Sequence, residues 1–194
     1  MKATHYGTCQ ICGRKQKAPD GLVAKHGYTV DGGYFNGTCF GSDEKPFERE
    51  RIVLGREIER LAKNIGHRKS HLTKVKEGTE PVLAIIRFRN PEDKWGYRSE
   101  KAWVQIISET DEGIVIDKDH APSNKEPDPI YYPREVKTNE DGNWVINKEG
   151  YDWKEQYVAY LDRRIHIFSE ILKDMESRYD SWERKELEPV EEVA

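Results

Sequence analysis

CQICGRKQKAPDGLVAKHGYTVDGGYFNGTCFGS, residues 9–42, decides how the rest of the chain is read. Cys9, Cys12 and Cys39 are the three cysteines of the sequence, and His26 lies between them. The order is Cys-x2-Cys, thirteen residues, His, twelve residues, Cys. Two thiolates gripped from one tight turn, with a histidine and a third thiolate, make the ligand set of a closed tetrahedral zinc site. Gly13 follows Cys12 directly and permits the positive φ that turns backbone N–H groups toward the sulfurs. Gly37-Thr38-Cys39-Phe40-Gly41 reads as the opposing half, and His26-Gly27 completes the set. His5 stands in reserve as a fourth ligand. One structural Zn2+ on Cys9, Cys12, His26 and Cys39 is the expectation, and the glycine-rich segment around it is one that a metal can hold where a core cannot.

A catalytic zinc keeps one position open for water. Four protein ligands, three of them thiolates, leave none. The zinc-deaminase signature needs His-x-Glu ahead of Pro-Cys-x-x-Cys; here Tyr28 stands two after His26, and the Cys-x2-Cys comes first, after Thr8. The ion is therefore read as a clamp on the fold.

Outward from this segment, Ser42-Asp43-Glu44-Lys45-Pro46 reads as a cap with proline in the first turn of a helix that runs to about Lys76. Leu54, Ile58, Leu61, Ile65, Leu72 and Val75 give it a heptad seam, with Arg68 at one seam position and Gly66 as a weak point. Residues 80–147 read as strands: Val82–Phe88, Ala102–Ile107, Ile114–Ile116, Val136 and Trp144–Ile146. Asn139-Glu140-Asp141-Gly142 is a hairpin signal, and Asp119–Pro133 a proline-rich loop. From about Trp153 to Lys185, Val158, Leu161, Ile165, Phe168, Leu172, Met175, Tyr179 and Trp182 alternate steps of three and four. The two seams span roughly 32 and 36 Å, so they are expected to bury each other as a helical hairpin or coiled-coil pair. A homodimer through the 153–185 helix is the rival. The expected fold class is α+β: an N-terminal zinc finger, two long packed helices, and a small, mainly antiparallel sheet between them in sequence. The expected divisions are a finger module at 1–45, a helix-sheet-helix domain at 46–185 and a disordered acidic tail at 186–194.

Charge is uneven. Residues 1–76 carry fifteen Lys and Arg against eight Asp and Glu, and residues 77–194 carry seventeen against twenty-eight, for a net charge of −4 overall. The basic first half suits an anionic partner, or the two halves attract each other. Arg60, Lys63, Arg68, Lys69, Lys74 and Lys76 form an acid-free run on the first helix. With Arg14, Lys15, Lys17 and Lys25 it could make a phosphate-binding face, while basic residues also suit a helix C-terminus. Trp95 and Tyr97, beside Arg98, are aromatic contact candidates, and Tyr131-Tyr132-Pro133 is a weaker one. His67 and His71 share a helix face, but Arg68 stands where a zincin needs Glu. Asp117, Asp119 and His120 are the one place for acid–base chemistry, without a visible partner set. No Gly-rich phosphate loop and no Ser-His-Asp or Cys-His arrangement is present. No apolar run reaches membrane-spanning length, and MKATHYGTC carries no apolar signal-peptide region. Three thiols then point to a reducing, cytoplasmic setting.

Residues 9–42 also resemble a short zinc-finger module of small phage and prophage proteins, mostly without assigned function. Cys9, Cys12, Gly13, Arg14, His26-Gly27-Tyr28, and Gly37-x-Cys39-x-Gly41 carry the resemblance. It implies a viral or mobile-element origin, a host-cell cytoplasmic location if phage-encoded, and the same four ligands, and it supplies no activity. The functional expectation is a non-enzymatic accessory protein that binds a host or viral macromolecule. A protein partner, such as a host defence factor, comes first; nucleic acid bound by the basic finger and residues 60–76 is the alternative.

Overall fold

β-Branched and aromatic residues between Leu83 and Ile146 build the largest element of the protein, a six-stranded antiparallel sheet. The computed structural model describes residues 4–27, 37–92, 99–119, 121–122, 125–127, 136–147 and 152–190. In chain order the elements are β1 (His5–Thr8), β2 (Lys15–Lys17), α1 (Ile52–Glu77), β3 (Leu83–Arg89), β4 (Glu100–Thr110), β5 (Gly113–Ile116), β6 (Glu126–Pro127), β7 (Val136–Thr138), β8 (Trp144–Ile146), α2 (Trp153–Asp180) and β9 (Glu188–Pro189). The chain divides into two units, residues 1–67 with 166–194 and residues 68–165, so each helix contributes to both. Among the described residues no helix is long and apolar enough to cross a membrane.

In the unit of residues 68–165 the strand order is β6-β3-β4-β5-β8-β7, every pairing is antiparallel, and the sheet is nearly closed. β3 alternates: Ala84, Ile86 and Phe88 point inward while Ile85 is 40% exposed. β5 and β8 are buried at every residue. Ala84, Ile86 and Phe88 join Val104, Ile114, Ile116, Trp144 and Ile146, and Trp153 from the first turn of α2, in one core. Gly113 is required by space and by φ +152: a Cβ there would overlap the Ile146 carbonyl of the neighbouring strand. The Asn139–Gly142 turn closes the β7–β8 hairpin through Gly142 N–H to Asn139 O (3.0 Å) and Asn143 N–H to Asn139 Oδ1 (2.9 Å).

The other unit holds a three-stranded sheet in the order β2-β1-β9. β1 and β2 pair as a hairpin with Tyr6 opposite Lys17 and Thr8 opposite Lys15, and the cysteine turn lies between them. β9 adds to the free edge of β1, with His5 opposite Pro189 and Tyr6 opposite Glu188.

This architecture corrects the expected one. Sheets dominate, and the six-stranded sheet carries its own core, so the frame is not a helical hairpin or coiled-coil pair with a small sheet attached. The reason is physical. Strands buried on both faces lose the alternation by which a strand is recognised, and the three residues of β8 are too few to outweigh two clean heptad seams. The seams themselves are apolar faces that the chain covers: Leu54, Leu61, Ile65, Leu72 and Val75 are buried on α1, and Leu161, Ile165 and Met175 on α2. The tail read as disordered also contributes β9, where Lys15 pairs with Glu188.

The first helix starts at Ile52, not near Pro46. Asp43 sits at φ +62, and Phe47 N–H donates to Thr8 O (2.8 Å). Glu48 accepts from Thr8 N–H (2.9 Å) and from its hydroxyl, and Trp182 Nε1–H donates to Phe47 O. Residues 43–50 are thus tied to β1 and to the chain after α2, which keeps them out of the helix.

Candidate metal centre

Cys9 and Cys12 sit on the turn between β1 and β2. Cys9 N–H donates to Arg14 O (2.9 Å), and Gly13 N–H donates back to Cys9 O (3.0 Å). Gly13 closes the turn at φ +69, a conformation a side chain resists. The second half is joined to His26 by its backbone: Cys39 N–H donates to His26 O (2.8 Å). Gly41 is fixed by space, because a Cβ on it would overlap Cys9 Sγ and press on Ile11 Cγ1 at 3.3 Å. Gly13 thus follows from backbone conformation and Gly41 from the space beside the Cys9 sulfur.

The ligand atoms of Cys9, Cys12, His26 and Cys39 all lie within 4.8 Å of one another, and this group could hold a metal ion. Cys9 Sγ is 3.8 Å from Cys39 Sγ, and Cys12 Sγ is 3.3 Å from His26 Nε2. A metal–sulfur bond of about 2.3 Å and a metal–nitrogen bond of about 2.0 Å, at tetrahedral angles, separate two sulfurs by about 3.8 Å and sulfur from nitrogen by about 3.5 Å. The geometry fits a single ion. The three thiols are free, and 3.8 Å is far beyond the ~2.05 Å of a disulfide.

His26 is oriented for ligation. Its Nδ1–H donates to Ala24 O (2.9 Å), which leaves the Nε2 lone pair facing Cys12. Ser42 braces the same residue: its Oγ accepts from His26 N–H and donates to His26 O, both at 3.2 Å. Such outer partners set the tautomer of a metal-binding imidazole. Burial pushes the Cys9 thiol up to about 12, against backbone hydrogen bonds from Cys12 and Ile11 that pull it down. A thiolate at buried Cys9 is unfavourable without a cation, and a bound cation offsets that desolvation.

Gln10, between the first two cysteines, is the residue sequence reasoning missed. It is fully buried. Its Oε1 accepts from Val53 N–H (3.0 Å) and Leu54 N–H (3.1 Å), and its Nε2 donates to Lys45 O (2.7 Å). It therefore caps α1 from a distant part of the chain. The signal was available: Arg49-Glu50-Arg51 precede Ile52, and none of them is a good N-cap. From α2, the Arg178 guanidinium donates to Gln10 O (3.2 Å) and Ile11 O (3.1 Å). The cysteine turn thus anchors the start of α1 and the end of α2.

The remaining candidates separate. Among the described residues no second group of metal-ligating side chains gathers, and His5 lies outside the cluster with its Nδ1 2.9 Å from Thr4 Oγ1. His71 bonds Tyr157 Oη through Nε2 (2.9 Å) and Glu80 through Nδ1, while exposed His67 is not drawn into that trio. Asp117 Oδ1 accepts from Asp119 N–H (2.8 Å), a local turn, and His120 lies outside the described residues. So do Trp95, Tyr97 and Tyr131-Tyr132-Pro133.

The basic run is less free than its sequence suggests. Lys74 pairs with Glu80 (2.8 Å), Lys76 with Asp162 (3.5 Å) and Lys25 with Asp43 (3.9 Å), while Arg60 pairs with Glu57. Arg14 reaches Gly27 O at 3.5 Å. Arg14, Lys15 and Lys17 belong to one unit, and Arg68, Lys69, Lys74 and Lys76 to the other. No protein-family model, characterised protein or solved structure matches the chain.

Proposed function

We propose that the chain is a non-enzymatic, zinc-clamped binding protein, and that the metal is structural. One observation carries this reading: four ligand atoms from three separate stretches gather within 4.8 Å of one another, on a turn that also anchors both helices. Zinc is the metal because three thiolates and an imidazole in a tetrahedral arrangement suit it over harder or redox-active ions. A filled coordination sphere offers no water to activate. All three thiols belong to the cluster, so none is spare as a nucleophile. Thiolate ligands fit a reducing cytoplasm, and an accessory role in phage rests on the resemblance of residues 9–42.

The partner in this proposal is a macromolecule. Of the two classes weighed on the sequence, nucleic acid held by the far end of the 60–76 run is weakened by Glu80 and Asp162, which pair with Lys74 and Lys76. The test is metal removal from the full chain. A chelator should strip one zinc and raise amide exchange at residues 5–27 and 39–54. A chain that keeps its exchange pattern after losing the metal would contradict a structural role.

A further inference from the structure

We infer that the finger and the outer face of α1 form a platform for single-stranded nucleic acid, with Phe40 as the base-stacking side chain. The inference rests on the reading above, because Phe40 is positioned by the ligand Cys39 on one side and by Gly41 on the other.

Phe40 is 71% exposed, the highest value among the large apolar side chains of the described residues that stand outside the core. A lone exposed apolar residue needs no explanation, but the backbone on both sides of this one is fixed. Cys39 before it is buried, and Gly41 after it has no room for a side chain. The Arg60 guanidinium lies 5.8 Å from the ring centroid, with Glu57 gripping its Nε at 2.7 Å. An exposed aromatic beside a cation is the element on which a nucleobase stacks.

The helix beside it supplies the charge. Arg56, Arg60, Lys63 and His67 are all exposed. At about 100° per residue they share the side of α1 opposite the buried Leu54, Leu61 and Ile65. Ile52 opens that stripe and Glu59 borders it. From Arg56 to His67 it runs roughly 16 Å, long enough for several phosphates. Charge complementarity therefore names an anionic polymer, and the exposed ring requires one whose bases are unpaired. It shares Arg60 and Lys63 with the 60–76 run, and Arg60 is paired with Glu57, so Arg56 and Lys63 are the cations this surface offers a phosphate.

The test is fluorescence anisotropy of the full, metal-loaded chain with labelled oligo(dT), oligo(U) and a DNA duplex of equal length. Both single strands should bind more tightly than duplex. With Arg56 and Lys63 engaged, affinity should fall roughly 7-fold between 50 and 200 mM salt. Phe40→Ala should weaken binding roughly 5- to 150-fold, and Phe40→Trp should restore it. Arg56→Glu with Lys63→Glu should flatten the salt dependence, while Lys69→Glu with Lys74→Glu should change affinity little. Zinc content and the unfolding midpoint, measured on each variant, guard against loss of fold. A zinc-loaded, folded chain that ignores single strands at 50 mM salt, prefers duplex, or binds equally well as Phe40→Ala overturns the inference. The first of these leaves a protein partner and the clamp intact; a chain that holds no zinc overturns the clamp itself.

Discussion

Replacing Gln10 by alanine tests whether the cysteine turn anchors the fold. The variant removes three hydrogen bonds at a fully buried position: Val53 N–H and Leu54 N–H lose their acceptor, and Lys45 O loses its donor. Loss of an N-cap costs about 0.5–2 kcal/mol, and a buried group left unpaired about 1–3 kcal/mol. Val53 is only partly buried, so water recovers part of its loss. Together these give about 2–4 kcal/mol, or a midpoint lowered by roughly 5–15 °C for a chain of this size. Denaturant unfolding of the metal-loaded chain measures the first, and amide exchange at Val53 and Leu54 localises it. Gln10→Glu should also destabilise, because a carboxylate still accepts both N–H groups but sets its second oxygen against the Lys45 carbonyl in a fully buried site. Metal stoichiometry should stay unchanged in both, since Gln10 contributes no ligand. A Gln10→Ala chain within about 0.5 kcal/mol of wild type, with Leu54 protection intact, would refute the reasoning.

Three other outcomes follow from the geometry. Gly41→Ala puts a methyl group onto Cys9 Sγ, so metal affinity by chelator competition should drop roughly 10- to 100-fold. Gly113→Ala collides with the Ile146 carbonyl; it should cost at least about 2–3 kcal/mol in the six-stranded sheet, with metal content unaffected. The Glu80 carboxyl is held below its ordinary range by hydrogen bonds from Lys74 first and His71 second. A depressed folded value means its contribution is complete above the unfolded value of about 4.3 and is lost as pH falls through the folded one. Glu80→Gln should therefore flatten the acid limb of the stability–pH curve below about pH 4.5, and an identical limb would show that this exposed group adds nothing measurable.

Local chemistry was legible in the sequence where few residues decide it. Cys9, Cys12, His26 and Cys39 were readable because spacing alone restricts a metal site, and the Asn139–Gly142 hairpin because the turn demands those residues. The seams of α1 and α2 were equally clear, since an apolar face at helical spacing has one physical use. The architecture was not. β5 and β8 are short and buried throughout, so they carry no alternation to count, and the curl of the sheet depends on pairings between residues as distant as Phe88 and Pro127. The start of α1 was misplaced because Ser42–Pro46 imitates a cap, whereas the actual acceptor, Gln10 Oε1, lies over forty residues away in sequence. β9 was hidden for a similar reason: an acidic, proline-containing tail reads as disorder until β1 offers it an edge. The basic run looked free because Glu80 and Asp162, which pair with it, lie outside its own stretch of sequence.

The decisive measurement is native mass spectrometry of the chain and of Cys39→Ser, paired with elemental analysis. One zinc per wild-type chain is expected, with Cys39→Ser losing it under mild chelation and unfolding at a lower temperature. A wild-type chain that carries no zinc, or a Cys39→Ser chain that holds one tightly and unfolds like wild type, would contradict the metal clamp and the reading built on it.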